Sequence, residues 1–173
     1  MRININFELD DYCVKECFLL NGNIDKITHN EINYSTQNCH PHITLLMGEI
    51  EEKEFDKVAK IVSNFSPKCL GKTLTISKPH PVFTNYIFSS VDEKHHSLFI
   101  EDCKKLLELL EDIIQPHEYL ISNGTSKPHI TLGYINNMEK LDTFFQSAPV
   151  LQPCKCTKLT LSKVGIHGTA LND

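Results

Sequence analysis

The sequence predicts a single α+β domain built from two similar halves. Strand-like and helix-like segments alternate along its 173 residues, a length typical of one domain with its own core. Two short sequence patterns each occur twice and in the same order, which indicates an internal duplication. Hydrophobic residues make up 40% and charged residues 23% of the chain. This ordinary composition excludes a disordered tail, a collagen-like repeat and a coiled coil.

The first half opens with a strand and a helix. Arg2–Leu9 alternates apolar and polar residues, which indicates a half-buried strand. The acidic pair Asp10–Asp11 can begin a helix, and we expect that helix to end near Leu20 because Asn21–Gly22 follows it. A strand, an amphipathic helix and a second strand are then predicted over Ile43–Met47, Glu51–Phe65 and Leu74–Ile76.

The second half repeats this order after a further strand and the longest helix. That strand is expected over Tyr86–Val91 and the helix over Lys94–Ile114. The helix carries an apolar stripe at helical spacing, formed by Leu98, Cys103, Leu106, Leu107 and Leu110. A strand, a helix and a strand follow, over Ile130–Ile135, Met138–Phe145 and Lys158–Ile166. We expect helices on one face of the sheets, and a ligand site in the groove between the halves.

The internal duplication rests on two pairs of matching segments. Pro-His-Ile-Thr-Leu at Pro41–Leu45 recurs letter for letter at Pro128–Leu132, 87 residues downstream. The segment Thr73–Lys78 is echoed by Lys158–Lys163 at nearly the same offset. Two matched pairs in the same order are hard to obtain by chance. We therefore interpret residues 1–173 as one domain made of two copies of one design.

The repeated His-x-Thr motif predicts phosphodiester chemistry. Residues i and i+2 of a strand share a face, so His42 lies beside Thr44, and His129 lies beside Thr131. If the halves are related by an approximate twofold, the two pairs meet across the groove. Two imidazoles can remove a proton from an attacking oxygen and deliver one to a leaving oxygen. The two hydroxyls can donate hydrogen bonds to the phosphate oxygens.

The two motifs resemble those of the two-histidine (2H) phosphoesterases, which are related to the RNA 2',5'-ligase and cyclic phosphodiesterase group. The resemblance implies a bilobal fold, with two antiparallel sheets and outer helices around a central groove. It also implies cleavage of nucleotide phosphodiesters without a metal or cofactor, with His42 and His129 as catalytic residues and Thr44 and Thr131 as phosphate-binding residues. The duplicated layout extends the resemblance over nearly the whole chain.

The resemblance leaves several substrates open. Known substrates of such proteins include 2',3'-cyclic phosphates, 2'-5' linked oligoadenylates, RNA ends and, in some phage proteins, cyclic oligonucleotide immune signals. RNA-directed members often carry a basic residue soon after the second motif, whereas Gly133–Tyr134 stands here. We therefore expect a small nucleotide or short oligonucleotide as the partner, rather than long RNA.

The chain has no tryptophan, so stacking on a base must fall to other rings. Phe83 follows the first copy of the repeated strand and His167 follows the second, which places both at the expected mouth of the groove. Each candidate also fits an ordinary position in a surface loop or in the core. The possible base-binding residues are Tyr12, Phe83, Tyr86, Tyr134 and His167.

Charge and cysteine content bear on partners and compartment. With 17 Lys and Arg against 22 Asp and Glu, the formal net charge is −5, which disfavours binding to duplex DNA. No apolar run is long enough to span a bilayer, and the start lacks a basic leader. The seven cysteines are scattered and odd in number, which favours reduced thiols. We expect a cytoplasmic monomer without structural disulfides or membrane association.

Two other functions fit parts of the sequence. A nucleotide-binding module with the same pocket but no turnover is one, although a pure binder has no need of two proton-transfer groups. A zinc-stabilised interaction domain is the other, with ligands drawn from Cys39, His40, His42 and the pair Cys154 and Cys156. Neither half has the C-x2-C spacing of common zinc modules, so we expect the cysteines in the core. The remaining histidines are expected to be solvated: His29, His80, His95, His96 and His117.

Overall fold

The computed structural model describes residues 1–118 and 127–172. Within these ranges four α-helices and antiparallel sheets form an α+β fold, which confirms the predicted class. The helices are α1 (Asp11–Ile27), α2 (Phe55–Asn64), α3 (His96–Leu110) and α4 (Asp142–Ser147). The strands are β1 (Arg2–Leu9), β2 (Cys39–His40), β3 (His42–Glu49), β4 (Thr73–Leu74), β5 (His80–Val82), β6 (Tyr86–Ser90), β7 (Gln115–Pro116), β8 (His129–Tyr134), β9 (Cys154–Lys163) and β10 (Ala170–Leu171).

The larger sheet has five strands in the order β4, β9, β1, β3, β7. The apolar residues Ile3, Ile5 and Phe7 of its central strand β1 are fully buried toward the helices. The prediction that β1 is only half-buried is wrong, because Asn4 and Asn6 on the other face are fully buried as well. Phe99 of α3 meets Phe7 edge to face, with ring centroids 5.7 Å apart. The opposite face of β1 carries polar side chains, and this face is turned toward the site described below.

The smaller sheet has three strands in the order β5, β6, β8. Its strand β8 contacts both α1 and β3 of the larger sheet. Ile130 and Leu132 of β8 are fully buried. The first His-x-Thr motif therefore begins β3 in one sheet and the second begins β8 in the other. The short strands β2 and β10 pair separately.

The predicted end of the first helix is wrong. Helix α1 continues through Asn21–Gly22 to Ile27. The buried side-chain amide of Asn21 donates to the carbonyls of Ile32 and Leu132, at 2.7 and 2.8 Å, so it ties α1 to β8 instead of ending the helix. A glycine inside a helix costs only about 1 kcal/mol, which packing of α1 offsets.

Other boundaries differ by a few residues. The helices predicted to begin at Glu51, Lys94 and Met138 each open with a 3-10 turn, and α3 ends at Leu110 rather than Ile114. Strand β9 begins at Cys154, earlier than predicted. The strand predicted over Leu74–Ile76 is Thr73–Leu74, with Ile76 making a single bridge to Val91. The short strands β2, β5, β7 and β10 escaped prediction because two or three residues show no hydrophobic period.

Several residues expected in loops or solvent are held in the structure. His80 lies in β5 and contacts Ser77 and Ser90. His96 contacts the carbonyl of Val91 at 2.8 Å, and His95 accepts from a backbone amide. The seven cysteines are buried as free thiols. No helix in the described part of the chain combines the length and apolar character that crossing a membrane requires.

Candidate active site

A cavity of about 380 Å³ brings the two repeated motifs together. His42 and Thr44 line it from β3, and His129 and Thr131 line it from β8. The intervening Ile43 and Ile130 are fully buried, as strand alternation predicts. The two copies of the motif, which lie 87 residues apart in the sequence and in different sheets, therefore share one cavity.

Both motif histidines are anchored in the same way. Nδ1 of His42 lies 2.9 Å from the carbonyl of His40, and Nδ1 of His129 lies 2.7 Å from the carbonyl of Lys127. A carbonyl oxygen only accepts, so Nδ1 carries the proton in each ring. In the neutral form, Nε2 of each ring then holds a lone pair that can take a proton.

Burial favours the neutral form of both rings. Burial lowers the pKa of His42 from 6.5 to about 4. The hydrogen bond to the His40 carbonyl acts in the opposite direction and raises this pKa, whereas positive charge on His40 and His129 lowers it further. Burial also lowers the pKa of His129, again opposed by its carbonyl partner. A bound phosphodiester carries a negative charge and would raise both values. Ligand binding can therefore bring one of the two rings to its protonated form.

Aromatic rings support the second motif and the mouth of the cavity. Phe88 of β6 stacks on His129, with ring centroids 3.8 Å apart and planes 16° apart. Tyr134 stacks on His167 at 3.7 Å and 10°, and Tyr86 stands edge-on to Tyr134 at 4.8 Å. These contacts fix the rings against which a ligand in the cavity would lie.

The five candidate base-binding residues fall into different places. Phe83, Tyr86 and His167 line the cavity. Tyr134 supports His167 from behind and is not itself a lining residue. Tyr12 is 52% exposed on α1 and lies outside the lining. The structure thus brings three of the five candidates to the cavity.

Phe83 and His167 both line the cavity and share the same unusual backbone. Both have a φ of 52°, in the left-handed region where a side chain costs roughly 1–2 kcal/mol relative to glycine. Phe83 follows β5 and is 73% exposed at the cavity mouth. His167 follows β9, and its Nε2 lies 2.8 Å from a carboxylate oxygen of Glu31. This contact lowers the pKa of Glu31.

Sequence reasoning missed several residues of the site. The lining also includes Arg2, Met47, Phe88, His117 and Gly168. Among the described residues that line the cavity, Arg2 is the only lysine or arginine. Asn4 of β1 is buried beside the first motif and contacts both of its functional side chains. The sequence does indicate that Arg2 and Asn4 belong together, because strand alternation places them on one face of the predicted first strand. It does not show that this face borders the site, because that depends on the pairing of β1 with β3.

The zinc arrangement finds no support in the described ranges. Over residues 1–118 and 127–172, no three His, Cys, Asp or Glu side chains are grouped so that they could hold a metal ion. Cys154 and Cys156 lie buried on β9. His40 and His42 have their rings 5.6 Å apart but stand on separate strands, β2 and β3.

Comparisons with models of known protein families and with curated protein sequences find no match.

Proposed function

We propose that this chain is a metal-independent phosphodiesterase that acts on a small nucleotide, with the bilobal arrangement of the 2H phosphoesterases. One observation carries the proposal: both His-x-Thr pairs, from two different sheets, line a single cavity. The identical Nδ1 anchoring of the two histidines supports it further, since duplicated catalytic halves would preserve such a detail.

The proposed reaction divides the two proton transfers between the two histidines. Nε2 of one ring removes the proton from the attacking oxygen, which belongs to water or to a sugar hydroxyl, as that oxygen bonds to phosphorus. Nε2 of the other ring, protonated, delivers its proton to the leaving oxygen as the second phosphorus–oxygen bond breaks. Thr44 and Thr131 donate hydrogen bonds to the non-bridging oxygens and stabilise the charge that grows there.

The cavity favours one nucleotide unit around the reacting phosphate. Its volume of about 380 Å³ lies near the lower end of the ~300–1,000 Å³ usual for ligand cavities. The aromatic rings at its mouth suit a base, and the net charge of −5 disfavours a long nucleic acid. Candidate substrates are a 2',3'-cyclic phosphate, a 2'-5' oligonucleotide or a cyclic oligonucleotide signal.

A non-catalytic nucleotide-binding module is the second candidate, because the same cavity and rings would serve it. A product-resolved assay separates the two. Cyclic phosphates, 2'-5' and 3'-5' oligonucleotides and cyclic dinucleotides are incubated with the protein in excess chelator, and the products are separated by chromatography. Turnover that persists in chelator and is lost in folded His42→Ala supports the enzyme. Binding of these ligands without turnover supports the module, and chelator-sensitive turnover restored by metal contradicts the mechanism.

A further inference from the structure

The buried amide of Asn4 joins the two functional side chains of the first motif. Its Nδ2 lies 3.0 Å from Oγ1 of Thr44 and 3.3 Å from Nε2 of His42. It also lies 3.4 Å from the carbonyl oxygen of Gly168 at the cavity mouth. The side chain is fully buried. One NH2 group therefore faces three acceptors around the site.

The carbonyl of Gly168 fixes which way the Asn4 amide points. A carbonyl oxygen cannot donate, so only the NH2 end of the amide can face it. The Oδ1 end is buried and has no hydrogen-bond partner among the described residues. Turning the amide over would set two acceptors against each other and bury both N–H groups at the place where no acceptor lies. The orientation is thus determined by the protein and does not depend on a ligand.

This orientation gives each motif side chain a defined role. Oγ1 of Thr44 accepts from Asn4, so its own hydrogen is directed elsewhere and is available to the cavity. Nε2 of His42 faces an N–H donor while its Nδ1 donates to the His40 carbonyl, so the ring is held neutral and its Nε2 lone pair points toward Asn4. For Nε2 to take a proton from the attacking oxygen, the Asn4 N–H must release this lone pair and turn to the Gly168 carbonyl, which lies 3.4 Å away. Within residues 1–118 and 127–172, no asparagine amide forms a hydrogen bond with the His129 or Thr131 side chain; their neighbours on the paired strand β6 are Phe88, opposite Thr131, and Ser90, opposite His129.

We propose that Asn4 is a positioning residue that makes His42 the general base and Thr44 a phosphate donor, leaving His129 as the general acid. This assignment rests on the proposed phosphodiesterase function and goes beyond it, since the repeated motifs alone treat the two histidines as equivalent. Within the described part of the chain, the side-chain amide of Asn4 forms hydrogen bonds only with the two motif side chains and the Gly168 carbonyl. It acts on the reaction through His42 and Thr44.

Other titratable and charged groups also influence the pKa of His42. Positive charge on His40 and on His129 disfavours its protonation, in the same direction as burial. The Cα of Glu8 pairs with that of His42 across β1 and β3, and the Glu8 carboxylate is held by Thr160 and Lys158. The titratable and charged groups that face His42 are Glu8, His40, Arg2, His117, His129 and His167.

The decisive variant is Asn4→Asp, which keeps the shape and replaces the donor with an acceptor. The carboxylate stabilises a proton on Nε2, so we expect the pKa of His42 to rise from about 4 toward neutrality. NMR titration of the His42 ring measures this directly, without turnover. In the pH profile of kcat/KM, which reports the free enzyme, the acidic limb should move upward by the same amount. At a pH below the new pKa, the rate of the variant should fall by up to the ~10²–10⁴-fold that a general base supplies. The rate should recover as the pH rises above this pKa.

Asn6→Asp is the matched control. Asn6 is fully buried on the same face of β1 and contacts the Asn4 carbonyl, Ser162 and, at 3.4 Å, Nε2 of His40. It has no hydrogen bond to His42, so a carboxylate at this position acts on His42 only indirectly, through His40 or at a distance. We expect a clearly smaller rise in the pKa of His42 and no recovery of rate with pH. Asn4→Ser, which removes the contacts without adding charge, provides a second variant if Asn4→Asp fails to fold. It should lower kcat with little change in KM.

Equal pKa values of His42 in the wild type and in folded Asn4→Asp would overturn the role of Asn4. Equal shifts of the His42 pKa in Asn4→Asp and Asn6→Asp would also overturn this role, because the shift would then come from a negative charge at a distance and not from the contact with Asn4. Absence of turnover in the wild type on every substrate would instead contradict the proposed function, while the NMR titration would still report on the contact between Asn4 and His42.

Discussion

Two backbone carbonyls determine where the motif histidines carry their protons. Each lies two residues before its histidine, and each accepts from Nδ1. This local geometry comes from a strand that begins at the histidine itself, so the sequence motif contains both the reactive ring and the group that orients it. A duplicated motif therefore reproduces a duplicated proton arrangement, which is the basis of the residue-scale predictions.

Replacing either histidine with alanine should remove most of the turnover. One proton transfer is then left undone in each variant, so we expect losses of about 10²–10⁴-fold for His42→Ala and for His129→Ala. The double variant should be little worse, because the two rings act as one unit. Thr44→Ala and Thr131→Ala should retain more activity, since loss of one donor to phosphate typically costs about 10²–10³-fold.

Steady-state rates and circular dichroism of each variant test this prediction. Full activity in either folded histidine variant would refute paired catalysis. Strictly multiplicative losses in the double variant would show that the two histidines act independently.

The pH dependence of kcat/KM should be bell-shaped, with its optimum below pH 6.5. Burial lowers the pKa of His42 from 6.5 to about 4 and also lowers that of His129. The free enzyme needs one ring neutral and the other protonated, so both limbs fall on the acidic side. In kcat the profile should move to higher pH, because the bound phosphate anion stabilises protonated imidazole. A monotonic kcat/KM profile from pH 4 to 8 would argue against two titrating rings.

At the scale of elements, strands and helices with a clear hydrophobic period could be predicted from the sequence. Features that depend on contacts with distant parts of the chain could not. The strand β1 was recognised because Ile3, Ile5 and Phe7 alternate with polar residues. The end of α1 was misplaced because Asn21 bonds to Leu132, a partner 111 residues away. The motif residues were identified because they are repeated. Asn4 occurs once, and its role depends on the pairing of β1 with β3, which no local pattern contains.

The loop after β5 provides a test of ligand contact that is separate from stability. Phe83 is 73% exposed and has a positive φ, so Phe83→Gly removes little packing and relieves about 1 kcal/mol of backbone strain. We expect an unchanged or higher midpoint of thermal unfolding, together with a KM raised about fivefold or more, because stacking on a base contributes ~1–3 kcal/mol.

Tyr12→Ala is the control, since this exposed aromatic residue on α1 lies outside the cavity. It should leave KM unchanged. A KM that is the same in the wild type and in Phe83→Gly would remove Phe83 from the ligand site.

At the scale of the whole molecule, the buried histidines couple the site to the free energy of unfolding. The pKa of His42 is about 4 in the folded protein and lies below its ordinary value of 6.5. Between these values the unfolded chain binds more protons, so stability falls as the pH falls. Over the whole pH range between these two pKa values, protonation of His42 in the unfolded chain lowers the free energy of unfolding by about 3 kcal/mol.

Denaturant unfolding between pH 6.5 and about 5, above the range where ordinary carboxylates titrate, checks this dependence. The free energy of unfolding should decrease over this interval in the wild type and decrease less in His42→Gln. Equal slopes in the two proteins would show that His42 is not held neutral by the fold.

The position of β9 has a consequence for how the chain reaches its folded state. This strand lies between β1 and β4 in the larger sheet, yet it follows every other strand of that sheet in the sequence. While the chain is being synthesised, one edge of β1 therefore stays unpaired until β9 emerges from the ribosome. Such long-range pairing slows folding, and an open edge invites association with other chains. Because the sheet that carries the first motif needs this late strand, a chain truncated before Cys154 should lack a stable first motif as well.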